Sequence, residues 1–130
     1  MINKDLIDLQ RGCNATCVVI PEQNYVELGQ GVIMEANISN QYLLASSLGN
    51  PIFKEKLDEI SQNNKIAYFV IRGIDEVTTD IQNRYISLVK DREFNGYNLP
   101  NNVILVFTVK DRECLKKISK ELYHFCVVAF

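Results

Sequence analysis

The chain has no tryptophan, one histidine and three prolines, and each shortage removes a class of chemistry. With His124 as its single imidazole, a Ser-His-Asp or Cys-His centre would have to assemble around that residue, and Ser46, Ser47 and Ser119 carry no motif that supplies a nucleophile. The four cysteines, Cys13, Cys17, Cys114 and Cys126, include no CxxC pair, so the spacing of a zinc knuckle is missing. Buried free thiols are the reading that this spacing favours, with a metal or redox pair of Cys13 and Cys17 as the alternative. No apolar run approaches the roughly 20 residues of a membrane span. Charge enters the N-terminus at Lys4 and Asp5, too early for a signal core. The 14 basic residues form no long run, which excludes an electrostatic footprint for nucleic acid. These absences predict a cytoplasmic protein with neither a membrane nor a nucleic acid as partner.

What is present is a pattern of short apolar runs separated by helical periodicity. Its 130 residues fit one domain with a real core, and a hydrophobic content of 47% against 23% charged is ordinary for a folded chain. Thr16 to Ile20 reads as a strand closed by Pro21, and Gly31 to Met34 as a second one. Helical spacing follows over 41–48 and 54–63. The runs 66–71, 103–108 and 125–130 are apolar throughout, as strands buried on both faces are. They alternate with helical stretches at 80–89 and 114–122. This order predicts three neighbouring parallel strands with helices on both faces.

Particular residues sharpen the second half. After the strand 66–71 comes a helix containing Gln82-Asn83, then Asp91-Arg92-Glu93-Phe94, Gly96-Tyr97, Leu99-Pro100-Asn101-Asn102-Val103 and another apolar strand. That order resembles the MoxR-like branch of the AAA+ ATPase family: Walker B strand, helix, hairpin and sensor-1 strand. The resemblance implies a P-loop-NTPase-like α/β fold, a small three-layer sandwich with a mostly parallel sheet. It also implies a single domain over 1–130, truncated before the family's helical lid.

The residues that carry the family's chemistry are substituted. No GxxxxGK[ST] occurs, so the chain lacks the backbone cradle and the Lys and Ser/Thr that hold phosphate and Mg²⁺. If Met34 ends the first core strand, the corresponding loop is 35–42, which has no Gly and no Lys. Counting back from Gln82-Asn83, the Walker B acids fall on Arg72-Gly73, and Asp75-Glu76 lies beyond them. The sensor-1 position falls on Lys110, with Thr108 as the substitute after a two-residue slip. The family's Arg-Phe pair becomes His124-Phe125.

A non-catalytic AAA+-like domain is therefore expected, needing no cofactor and acting through a protein partner or as a homo-oligomer. Phe94, Tyr97 and Leu99 in the hairpin are its candidate contact residues, the alternative being that the hairpin packs back on the core. A second reading keeps weak ATP and Mg²⁺ binding, with Asp75 and Glu76 as a Walker B pair.

Overall fold

The computed structural model describes residues 17–28, 31–36, 58–59, 62, 67–94, 97–99 and 102–128. Among the described residues, five strands form one sheet: β1 (Cys17–Pro21), β2 (Gly31–Glu35), β3 (Ala67–Arg72), β6 (Val103–Val109) and β7 (Cys126–Val128). They lie in the order β2-β3-β6-β1-β7, and every neighbouring pair is parallel. A separate antiparallel hairpin joins β4 (Glu93–Phe94) to β5 (Tyr97–Asn98). The fold class is the expected α/β one, built on a parallel sheet.

Alternation along the strands explains why they are apolar throughout. Cys17 and Val19 of β1, Phe69 and Ile71 of β3, and Leu105 and Phe107 of β6 belong to one buried cluster, while Val18, Ile20, Tyr68, Val70, Ile104 and Val106 belong to another. A strand has a period of two, so burial of both faces leaves no polar positions. The first cluster is closed by the short helices α1 (Thr79–Asn83), α2 (Ile86–Asp91) and α3 (Lys120–Tyr123), with a 3₁₀ segment at Arg112–Lys117. On the opposite face, the described covering element is the 3₁₀ segment Glu22–Leu28, which packs Tyr25 and Leu28 against the sheet. Each fully buried Phe or Ile here contributes about 1.5–3 kcal/mol of burial.

Two expectations are corrected. Strands 103–108 and 125–130 are not neighbours, because β1 inserts between them; residues 129–130 lie outside the described ones. The helices expected over 80–89 and 114–122 are each broken. Arg84 and Tyr85 bond back to Ile81 and Gln82 in i→i−3 geometry, which tightens the turn and drives Tyr85 into the core. There the Tyr85 hydroxyl donates to the Ala36 carbonyl at 3.1 Å, and its ring meets Phe107 edge-on at 5.9 Å. In the second stretch, the 3₁₀ segment ends at the extended Ile118, and Ser119 caps α3, its hydroxyl accepting from Leu122 N at 3.2 Å. Of the two earlier helices, 41–48 lies outside the described residues, while Asp58, Glu59 and Gln62 of the other are helical.

Candidate functional site at the strand ends

Connections leave the adjacent strands β1 and β6 in opposite directions, from β1 toward β2 and from β6 toward β7. In a parallel sheet such a switch opens a crevice outside the carboxyl ends of the strands, which is where these folds place ligands. The loop that matters therefore follows β1. The loop after Met34, expected to correspond to the phosphate loop, belongs to β2 at the edge of the sheet, and residues 37–42 of it lie outside the described ones.

Strand parity furnishes this crevice. Positions 68 and 70 of β3, and 104 and 106 of β6, face the side covered by Glu22–Leu28. Two residues further on, the same parity points Arg72 and Thr108 to that side. Ile71 and Phe107 are in register, so the two side chains end level with each other. Glu22, the first residue after β1, meets them both. Arg72 Nε donates to Glu22 Oε1 at 2.6 Å, with Nη2 at 2.5 Å from the same oxygen, and the Thr108 hydroxyl donates to Glu22 Oε2. The Arg72 guanidinium also lies 4.4 Å from the centre of the Tyr25 ring.

Gly73 turns the chain out of β3 with φ at 74°, in the left-handed region that a side chain adopts at a cost. Its N–H donates to Thr108 Oγ1 at 3.0 Å, tying the ends of β3 and β6 together. Asp75 and Glu76 follow in the 3₁₀ turn Ile74–Glu76, beyond the end of the strand. Asp75 is buried and accepts from Lys110 N at 3.4 Å, whereas Glu76 is exposed. Glu22, Arg72, Gly73, Asp75, Glu76 and Lys110 line a hollow of ≈ 260 Å³.

The structure thus brings together Arg72, Thr108, Lys110, Asp75 and Glu76, all of which the sequence singled out. It adds Glu22 and Tyr25, which sequence reasoning missed. The available signal was an acid directly after an apolar run, Cys17-Val18-Val19-Ile20-Pro21-Glu22, and it gains meaning only once β1 is known to be central. His124 lies elsewhere, exposed at the C-terminal cap of α3, with its ring edge-on to Phe125 at 5.2 Å. In the hairpin, Phe94 and Tyr97 are paired, but their side chains lie outside the described ones. Leu99 is 5% exposed and sits in the main cluster, so the core has claimed that candidate contact residue.

Other residues quoted for the family likeness have structural work. Gln82 is fully enclosed. Its Nε2 donates to the carbonyls of Val77 at 3.1 Å and Lys117 at 3.0 Å, and its Oε1 accepts from Ser119 N at 2.5 Å. Asn83 accepts from the Ser119 hydroxyl at 2.7 Å. Arg92 adopts φ 53°, caps α2 and donates from Nη2 to the Val103 carbonyl at 2.6 Å, where β6 begins.

Among the described residues, no helix is long and apolar enough to cross a membrane, and no group of three or more His, Cys, Asp or Glu side chains converges as a metal site would require. No family model and no curated protein matches the sequence. Among solved structures, the chain is similar to a chain of the Drosophila ORC bound to AT-rich DNA and Cdc6, with 7% identity and a TM-score of 0.47, covering 96% of this chain and 55% of that one. A chain of Drosophila ORC bound to DNA is 8% identical with a TM-score of 0.46, and the match covers 95% of this chain and 88% of that one. The DNA and Cdc6 belong to those complexes.

Proposed function

We propose that this is a non-catalytic, AAA+-like domain that acts through protein contacts, with a partner protein or with further copies of itself. The observation that carries the reading is the Glu22–Arg72–Thr108 network in the switch-point crevice. A nucleotide site needs N–H donors and a cation for the phosphates, and carboxylates for Mg²⁺. Here a carboxylate stands where phosphate would arrive, and a guanidinium stands where the metal-binding acids belong. A phosphate arriving there would have to displace Glu22 from the Arg72 guanidinium, which the carboxylate already engages through Nε and Nη2. The hollow beside the network, at ≈ 260 Å³, is also smaller than the roughly 300–1,000 Å³ of common ligand pockets.

With the crevice occupied by the chain's own side chains, the surfaces left for function are contact surfaces. The hairpin residues Phe94 and Tyr97 are one candidate, chosen on their sequence. A second is the hollow of ≈ 650 Å³ bounded by Arg112, Leu115, Lys116, Lys120 and Tyr123, the last 41% exposed. A cytoplasmic setting without cofactor, membrane or nucleic acid belongs to the same reading.

Phosphate release from MgATP tests the catalytic half. Background rates are expected for the native chain and for Asp75→Ala alike. The double change Arg72→Asp with Gly73→Glu should stay at background too, since one missing transition-state donor alone costs about 3–4 kcal/mol and the whole phosphate loop is absent. Turnover that depends on Asp75 and Glu76 would replace this reading with a weak ATPase. Sedimentation velocity tests the other half: concentration-dependent association, weakened by Phe94→Ser with Tyr97→Ser or by Tyr123→Ser, is expected if the partner is another copy.

A further inference from the structure

We propose that Cys17 and Cys126 form a redox pair, which a hydroperoxide converts into an intramolecular disulfide joining the C-terminal strand to the central one. The two residues stand directly opposite each other in the parallel register of β1 and β7, and their sulfurs are 3.3 Å apart. Neighbouring strands lie about 4.8 Å apart, inside the roughly 4.4–6.8 Å Cα separation that a disulfide spans. Closing the sulfurs to a bond of about 2.05 Å is a movement of little more than an ångström. Among the described residues, strand β7 pairs with β1 alone, so the movement disturbs no other described strand.

The two thiols are not equivalent. Cys17 is 1% exposed, and Cys126 is half-buried, so a small oxidant meets Cys126 first. The contact with Cys126, together with burial, holds the Cys17 thiol well above the usual range. Cys17 therefore keeps its proton until a better electrophile forms beside it. In the first step Cys126 sulfur attacks the outer peroxide oxygen and the O–O bond breaks. Cys126 becomes the sulfenic acid, and its thiol proton leaves with the alcohol or water released. In the second, Cys17 sulfur displaces the sulfenic hydroxyl, which departs as water with the Cys17 proton. The thiols together lose two electrons and two hydrogens, and the peroxide is reduced. Cys114, the third described cysteine, is engaged instead by Asp111 and Asp75. Cys13, the sequence-level partner for Cys17, lies outside the described residues.

The test exposes the full native chain to a slight excess of hydrogen peroxide, blocks the remaining thiols with iodoacetamide, and maps peptides without reduction. The expected product is a monomer lighter by two hydrogens, with one linked peptide pair joining Cys17 to Cys126, reversed by dithiothreitol. In Cys17→Ser the reaction should stop at a Cys126 sulfenic acid that dimedone traps. In the unfolded chain in urea, the same oxidant should give scrambled pairs, because the fold selects the partner. Four free thiols after treatment, a Cys13–Cys17 link, or a disulfide between two chains would each overturn the proposal. The measurement on the native chain stands even if a cysteine variant fails to fold.

Discussion

Two polar clusters in this molecule use similar chemistry for different ends. Around Gln82, three backbone groups, one at Val77 and two in the turn at Lys117 and Ser119, converge on one enclosed amide. At the strand ends, Glu22, Arg72 and Thr108 converge on one another with Glu22 and Arg72 each 31% exposed. Among the described residues, no buried side-chain nitrogen or oxygen lacks a partner. Burial is what separates the two clusters. An enclosed amide cannot exchange its partners for water, so its loss strands each of them. A partly exposed ion pair can, so it contributes little stability and persists as an occupant of the crevice. The comparison teaches that Gln82 holds the fold, while the strand-end residues form a self-paired set.

Substitutions can break this contrast. The largest effect is expected from Gln82→Leu, which removes the partner of the buried Ser119 N and of the part-buried carbonyls of Val77 and Lys117. A loss of about 3 kcal/mol or more, read from the urea midpoint, is expected at about 1–3 kcal/mol per stranded group. A loss under about 1 kcal/mol, the scale of an exposed pair, would erase the distinction.

Tyr85→Phe comes next, removing the buried hydroxyl bond to Ala36 at a cost of about 1 kcal/mol at neutral pH. It also carries a pH signature. Burial pushes the Tyr85 hydroxyl from 10.0 up to about 12. The folded state therefore holds this proton in a range where the unfolded chain has lost it. The stabilisation is complete below pH 10 and declines by about 1.4 kcal/mol per pH unit as pH rises toward the folded value. In denaturation series, the advantage of the native chain over Tyr85→Phe should therefore vanish within about one pH unit above 10 and reverse beyond it. Parallel curves would contradict the burial argument.

Smallest is the effect of Glu22→Gln or Arg72→Met, each expected to cost roughly 0–1 kcal/mol and to shrink further in high salt. A cost near that of Gln82→Leu would mean that the strand-end pair is a structural keystone rather than an occupant.

Much of the fold was legible because continuous apolar runs have few homes. β3, β6 and β7 and both N-terminal strands fall where the residues put them. Strand order was not, since β1 pairs with Val106 to Val109 far along the chain and nothing in a five-residue strand encodes its neighbour. That one omission misplaced the expected phosphate loop and hid Glu22. The position of Arg72 at the end of β3, with Asp75 and Glu76 beyond it, was legible by counting back from Gln82-Asn83. Helix breaks at Tyr85 and Ser119 were hidden because tertiary contacts decide them: a hydroxyl bond to Ala36 in one case, and a cap with a clamp to Gln82 and Asn83 in the other.

Titration calorimetry of the purified chain with ATP, with and without Mg²⁺, is the most direct test of the claim that the crevice is filled by its own side chains. The account predicts no binding heat at millimolar nucleotide under either condition. Saturable, Mg²⁺-dependent binding by the native chain, abolished by Asp75→Ala, would contradict it.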